Sequence, residues 1–248
     1  MKALCIDNKC LSIAGHYLSN ELPIFTLSLQ TDGNGTISAN SLSGHPGDTV
    51  TLSRKPNERY NNSTYSVSGG TINDNTFTFG YGNATVKANF SAAAYSGYRL
   101  MITGFASTAS FPTEYMQIQE YGIGYDGGGP YYGPNYWTVV STALSGNLWT
   151  STRPPEKVFD GDTTTEAGKF DASNFTACRI DFRTENSNKV IPQNVAVVTV
   201  GYQTNYSGSR PATVLYGYND DRGEYDTIKD IPASALPVQN YYTYTATC

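Results

Sequence analysis

The stretch Lys157-Val-Phe-Asp-Gly-Asp-Thr-Thr-Thr165 has the composition of an acidic turn, with two aspartates on either side of a glycine. Further along, Cys178-Arg-Ile-Asp-Phe182 alternates apolar and polar residues, which predicts a strand with one buried face. Gly217-Tyr-Asn-Asp220 supplies turn-forming residues after a second strand that starts near Ser209-Arg-Pro211. This combination predicts a β-sandwich that holds a cation at one end, an architecture that serves binding more often than catalysis.

The composition indicates a folded, all-β protein. Of its 248 residues, 39% are hydrophobic and 15% charged, which suffices for one large or two modest cores. Its 24 glycines and 20 tyrosines favour short strands and tight turns. The net charge of -5 argues against nucleic acid as a partner, because binding to phosphates requires clustered Lys and Arg.

The amino-terminal residues Met1–Cys10 lack an apolar segment followed by a small-residue cleavage site. No run in the chain approaches the roughly 18 apolar residues of a membrane-spanning helix. We therefore expect a protein that has no signal peptide and no membrane span and is made in a cytoplasm. Cys5 and Cys10 flank a short turn, where they form either a disulfide or two reduced thiols.

Turn signals and period-two patterns divide the chain into residues 1–23, 24–91 and 92–248. Residues 1–23 are too short for a core of their own, which predicts a hairpin that docks on a neighbouring subunit or on the following domain. This opening, a strand, an Asp-Asn-Lys turn, a second strand and a Gly turn, resembles the openings of many phage virion proteins.

Residues 24–91 contain a spaced motif. It consists of Leu29, Gly33, Gly35, Ile37, Ala39, Gly47, Asp48, Val50, Leu52, Pro56, Val86, Ala88 and Phe90. The motif resembles the divergent internalin B-type repeat of bacterial surface proteins and their phages, although residues 59–65 depart from the family pattern. The resemblance implies a small β-grasp-like spacer domain without catalytic residues.

Residues 92–248 have the length of a jelly roll. The acidic loop, the Ile180-Asp-Phe182 strand and the segment 210–220 resemble the discoidin-like, galactose-binding jelly roll of many carbohydrate-binding modules. The strand pair within residues 98–120, which closes the domain in that family, precedes the acidic loop here, so the strand order resembles that of a circular permutant. The fold prediction is thus all-β: a hairpin, a repeat domain and a discoidin-like β-sandwich.

The acidic turn is a candidate metal site. Asp160 and Asp162 can direct two carboxylates at a hard cation such as Ca²⁺, or form an Asx-type turn that is capped without metal. The jelly-roll resemblance implies a structural Ca²⁺ held by Asp160, Asp162 and Thr165, with Glu120 closing the site from a neighbouring strand. Where the family commonly has a Trp after this Thr, the chain has Glu166.

Aromatic residues in a Gly- and Pro-rich loop are the candidate ligand-binding set. They are Tyr131, Tyr132, Tyr136 and Trp137. Such rings lose little side-chain entropy on binding and stack on sugars or anchor protein interfaces. Arg210 and Asn219 could add hydrogen bonds at another loop end. In the alternative interpretation, the rings pack over the sandwich edge or into a neighbouring subunit.

Enzymatic signatures are weak. The chain has two histidines, His16 and His45, both in predicted turns, so we expect neither a His-based triad nor a multi-His metal centre within one chain. Glu224 and Asp226 lie in a charged stretch that predicts a solvated turn. We therefore expect no catalytic activity.

Together these observations predict a bacteriophage virion component: a capsid decoration protein, a head fibre or a tail-associated adhesin. Its expected partners are other capsid or tail proteins and host surface polysaccharide, and it is expected to be an oligomer on the particle. The absence of an export signal favours this assignment over an exported adhesin. Two alternatives are a purely structural virion protein without glycan binding, and a carbohydrate-binding module of a bacterial surface protein.

Overall fold

A computed structural model describes most of the chain and divides it into two compact units, Met1–Ala92 (unit 1) and Ala93–Cys248 (unit 2). The described residues are 4–6, 9–11, 22–106, 115–118, 120–145, 155–162, 167–171, 177–199, 210–237 and 242–248. They form strands and two short 3-10 helices, which confirms the predicted all-β class. Within these ranges, no helix has the length and apolarity required to cross a membrane.

The described residues of unit 1 form ten strands. They are β1 (Leu4–Ile6), β2 (Lys9–Leu11), β3 (Phe25–Thr31), β4 (Gly35–Ala39), β5 (Ser43–Gly44), β6 (Thr49–Pro56), β7 (Tyr60–Ser68), β8 (Gly70–Asn73), β9 (Thr76–Phe79) and β10 (Ala84–Ala92). Strands β1 and β2 form the expected hairpin, in which Cys5 and Cys10 are opposed. Residues 12–21 of the predicted amino-terminal segment, 1–23, lie outside the described residues.

Two four-stranded sheets enclose the core of unit 1, in the orders β5-β3-β10-β7 and β4-β6-β9-β8. Strand β10 is central in the first sheet, where it runs parallel to β3 and antiparallel to β7. Its residues alternate between buried and half-buried positions, as the period-two pattern predicts. The core consists of Leu27, Val50, Leu52, Phe77, Phe79, Ala84 and Val86.

In unit 2, the part of the chain that the structure describes also forms ten strands. They are β11 (Gly97–Ala106), β12 (Tyr115–Ile118), β13 (Glu120–Gly124), β14 (Trp137–Ser145), β15 (Ala167–Asp171), β16 (Ala177–Thr184), β17 (Asn194–Thr199), β18 (Arg210–Asn219), β19 (Glu224–Ile231) and β20 (Tyr242–Thr247). The 3-10 helices span Pro155–Phe159 and Ala233–Ala235.

Unit 2 is a β-sandwich. An antiparallel five-stranded sheet, β14-β16-β11-β18-β19, and a three-stranded sheet, β13-β17-β20, contribute to one core, and β12 pairs with β15. Leu100, Ile180 and Leu215 enter this core from the larger sheet, and Ile123 and Val195 enter it from the smaller one. The predicted strand pair within residues 98–120 is not formed, because β11, β12 and β13 belong to three different sheets.

Candidate binding site: the aromatic loop and the acidic turn

Residues 125–137, the aromatic loop, connect β13 to β14 and fold back onto β13. Tyr131 donates its backbone N–H to the Ile123 carbonyl over 3.1 Å and accepts from the Ile123 N–H over 3.4 Å. The Tyr131 ring centroid lies 4.7 Å from those of both Tyr125 and Tyr136. Tyr136 is 38% exposed. Three neighbouring rings are therefore packed against one another, and the ring of Tyr136 is partly exposed to solvent.

The sequence predicts that the Trp137 ring stacks on a ligand, but in the structure this ring lies in the core. Its side chain is only 2% exposed, and its ring packs edge-on against Tyr98 and Phe182 in the core. Its Nε1–H donates to the Tyr131 carbonyl over 2.8 Å. Because it is the first residue of β14 and faces inward, Trp137 anchors the loop from below instead of offering a face to a ligand.

Tyr132 is half-buried and packs over β13. A Cβ atom on Gly122 would lie 2.6 Å from the Tyr132 ring, so the missing side chain makes room for that ring. Burial, followed by the nearby Glu120 carboxyl, raises the pKa of Tyr132 above its ordinary value. Tyr132 therefore links the aromatic loop to the predicted metal ligand on β13.

The acidic turn, Asp160–Asp162, lies next to the Glu120 side chain of β13. Gly161 has a φ of +79°, and its N–H donates to Glu120 Oε1 over 2.7 Å. The Asp162 N–H donates to Asp160 Oδ1 over 2.9 Å, which closes an Asx-type turn. The structure thus brings Glu120 and Asp160 together, while Asp162 is exposed and Thr165 lies outside the described residues.

Glu120 is fully buried, and its pKa is raised from 4.5 to about 9. Burial is the largest cause, and the neighbouring Asp160 carboxyl adds to it. Two carboxyls this close in a buried site require a shared proton or a cation to balance their charge. Glu120 Oε2 is buried and makes no hydrogen bond within the described part of the chain.

The oxygens of Glu120 and Asp160 are of the kind that Ca²⁺ prefers, so they fit one side of a calcium site. The described ranges contain no group of three or more acidic, His or Cys side chains placed to hold a metal. Glu120 and Asp160 are therefore the two predicted ligands that the structure places together. The same pair also fits a shared proton.

The acidic turn lies against the aromatic loop, backbone to backbone. Gly133 has a φ of +85°, and a Cβ atom on it would lie 2.9 Å from the Gly161 Cα. Two glycines at these positions allow an approach that side chains would prevent. The turn therefore supports the loop that carries the tyrosine rings.

Asn219 is predicted to hydrogen-bond a ligand, but in the structure its side chain is buried. It is 1% exposed, and its Nδ2 donates to Asp226 Oδ2 over 3.0 Å, where the Tyr95 hydroxyl also donates over 2.8 Å. Asp226, predicted to lie in a solvated turn, is fully buried and pairs with Arg222. Asn219 therefore closes the β18–β19 hairpin from inside. Arg210 lies at the other end of the strand, roughly 30 Å away at 3.3 Å per residue.

Comparison with known proteins identifies the repeat in unit 1. Residues 25–94 match the family model of the divergent InlB B-repeat domain. This match confirms the resemblance read from the motif in residues 24–91. No curated protein and no solved structure matches the chain.

Within the repeat domain, the motif residues have structural roles. Leu52 and Val86 are buried in its core. Asp32 accepts the Phe90 N–H over 2.8 Å and the Asn34 N–H over 2.9 Å, and these bonds lower the pKa of its carboxyl. The turn after β3 is thereby tied to the last strand at Phe90, which is a residue of the motif.

Proposed function

We propose that this chain is a non-enzymatic component of a bacteriophage particle that binds host surface glycan through unit 2. The observation that carries the proposal is the cluster of Tyr125, Tyr131 and Tyr136, whose rings lie together beside solvent. Aromatic rings offer a flat apolar face to the C–H face of a sugar. Because these rings are already ordered, binding costs little side-chain entropy.

The acidic turn contributes rigidity in this proposal. Contact between Gly133 and Gly161 transmits the position of the turn to the loop. Ca²⁺ held by Glu120 and Asp160, with other oxygens, would balance their charge and stiffen the turn. Ca²⁺ is thus a structural cofactor here and does not contact the glycan.

The other parts of the chain have assembly roles in the proposal. The β1–β2 hairpin docks on capsid or tail proteins, and the repeat domain is a spacer between that attachment and unit 2. The chain is made in the host cytoplasm and assembles as an oligomer, as a capsid decoration protein, head fibre or tail-associated adhesin. The discoidin-like jelly roll remains the proposed family of unit 2.

The test is a glycan array probed with the full chain, with added Ca²⁺ and with chelator. We expect Tyr136→Ala to weaken binding about tenfold, a loss of about 1.4 kcal/mol, because it removes one ring of the stacking cluster. Tyr81→Ala is the matched control, because Tyr81 is 73% exposed in unit 1 and should leave binding unchanged. No glycan signal at any calcium level would contradict the proposal.

Two alternatives have support of their own. The burial of Trp137 and the mutual packing of the tyrosines favour a purely structural virion protein, in which the loop contacts neighbouring subunits. The repeat match supports a bacterial surface protein, in which unit 2 would be the carbohydrate-binding module. Labelled antibody against the chain distinguishes the sites of assembly: binding to purified particles supports a virion protein, and binding to intact cells supports the bacterial surface.

A further inference from the structure

The solvent-facing side of the five-stranded sheet contains an open groove of about 420 Å³. Its walls come from β11, β14, β16, β18 and β19. The residues that line it include Val140, Ser141, Asp181, Arg183, Tyr218 and Tyr225. None of them belongs to the aromatic loop or the acidic turn.

Gly97 forms the floor of this groove. It pairs with Arg183 on β16, and the nearest atom to a Cβ placed on it would be Tyr218 Cβ, at 3.8 Å. That separation is ordinary van der Waals contact, so the strand itself would accept a side chain here. The groove exists because an otherwise continuous outward-facing row of side chains is interrupted at this glycine.

One wall of the groove is aromatic. Tyr218 and Tyr225 lie opposite each other on β18 and β19, with ring centroids 5.2 Å apart in an edge-to-face arrangement. They are 37% and 38% exposed. The Arg99 guanidinium lies 4.3 Å from the centroid of the Tyr225 ring, which restrains that ring on its other flank.

The opposite wall carries polar groups in a defined geometry. Arg99 Nε and Nη2 donate to the two Asp181 oxygens over 2.7 and 3.3 Å, and Ser141 Oγ donates to Oδ2 over 3.0 Å. Burial alone would raise the pKa of Asp181, but the hydrogen bonds from Arg99 and Ser141 hold it below the ordinary value. The carboxylate is therefore charged at neutral pH and still partly exposed.

We infer that this groove binds a hexopyranose unit of a polysaccharide, an inference that rests on the proposed glycan-binding function and assigns it a second site. A pyranose presents a C–H face that matches the tyrosine wall and hydroxyls that match Asp181, Ser141 and Arg183. The groove volume lies within the roughly 300–1,000 Å³ range of small-molecule sites. At the floor of the groove β11 is paired on both sides, so a peptide strand cannot add to the sheet there.

The test uses the full chain labelled with carbon-13 in its tyrosine rings and titrated with cellotetraose, maltotetraose, mannotetraose and chitotetraose. Ring resonances are assigned with single Tyr→Phe variants. We expect at least one tetrasaccharide to shift the NMR resonances of Tyr218 and Tyr225. Unshifted resonances of both rings with every probe would overturn the inference.

Gly97→Ile is the discriminating variant, because it fills the floor of the groove with a β-branched side chain that suits a strand. We expect it to weaken tetrasaccharide binding about tenfold or more, a change of about 1.4 kcal/mol for each tenfold. Gly104→Ile is the control on the same strand, since a Cβ there meets nothing within 4 Å. If thermal unfolding shows that Gly97→Ile is misfolded, Tyr218→Ala replaces it with the same expected loss.

The outcomes separate the two sites. Shifts at Tyr218 and Tyr225 that disappear in Gly97→Ile and persist in Gly104→Ile support the groove. Shifts confined to Tyr131 and Tyr136 overturn the groove and leave the proposed function of the aromatic loop standing. Shifts confined to Tyr218 and Tyr225 support the groove and remove the loop from the proposed function.

Discussion

At the scale of single residues, the surroundings of Glu120 strongly raise the pKa of its carboxyl. Its carboxyl is buried, accepts the Gly161 N–H and lies beside Asp160. An isolated glutamate titrates near pH 4.5, whereas the pKa of Glu120 is raised to about 9. At neutral pH without a cation, the folded protein therefore keeps a proton on Glu120 that the unfolded chain releases.

This difference sets the sign of a pH dependence. Between about pH 4.5 and 9 the unfolded state binds fewer protons, so the contribution of Glu120 to the free energy of unfolding falls as the pH rises. Glu120→Gln removes this dependence. We expect the variant to be more stable than the wild type at pH 8 by about 1–3 kcal/mol in chelator, because its amide takes up no proton when the chain folds.

Denaturant unfolding at pH 5 and pH 8 measures the effect. Asp230→Asn, an exposed carboxyl on β19, is the control and should leave the pH slope unchanged. Added Ca²⁺ should stabilise the wild type at pH 8 and not the Gln variant. Equal pH slopes for wild type and Glu120→Gln would contradict the assigned pKa.

At the scale of elements, glycines determine how closely the strands of the repeat domain approach each other. A Cβ atom on Gly35 would lie 2.5 Å from the Phe90 ring and 2.7 Å from the Lys55 carbonyl oxygen. Lys55 pairs with the neighbouring Thr36, so its carbonyl belongs to the β4–β6 ladder. The Gly-x-Gly spacing of the motif therefore reflects strand packing as well as a turn.

Gly35→Ala should therefore destabilise unit 1 by about 1–3 kcal/mol, the usual cost of overpacking. Gly82→Ala is the matched control, because a Cβ there meets nothing within 4 Å, and its change should stay within about 0.5 kcal/mol. Urea unfolding followed by far-UV circular dichroism measures both. Equal stabilities of the two variants would refute the role assigned to Gly35.

The strands also show which elements can be recognised locally. Alternation correctly indicated β10 and β16, whose buried and half-buried residues alternate. Strands β14 and β19 were not recognised, because Trp137 was assigned to the loop and Glu224 to a charged turn. Both strands pair within the larger sheet, and this pairing outweighs their weak local pattern.

For the whole molecule, the two units have separate hydrophobic cores, one around Leu52 and Val86 and the other around Leu100 and Ile180. Both tryptophans of the chain, Trp137 and Trp149, belong to unit 2. Tryptophan fluorescence therefore reports on unit 2 and leaves unit 1 unobserved.

Leu52→Ala should destabilise unit 1 by about 2–5 kcal/mol, the usual cost of deleting a buried leucine side chain. We expect the midpoint of unfolding by tryptophan fluorescence to stay at the wild-type value while far-UV circular dichroism shows an earlier transition. Leu100→Ala, in the core of unit 2, should instead lower the fluorescence midpoint. A shared midpoint shift in Leu52→Ala would show that the units unfold together.

Sequence alone was enough for the all-β class, because composition, period-two alternation and turn residues act over a few neighbouring positions. The repeat domain was recognised from the resemblance of its motif to a known family, which the family match confirms. The burial of Trp137, the pairing of Asn219 with Asp226 and the proximity of Glu120 to the acidic turn became visible in the folded chain alone. Those outcomes depend on contacts between distant residues, such as Glu120 with Gly161 at a separation of 41 and Tyr95 with Asp226 at 131. Burial and partner charges set a side chain's chemistry, and both arise from strand pairings that local patterns do not encode.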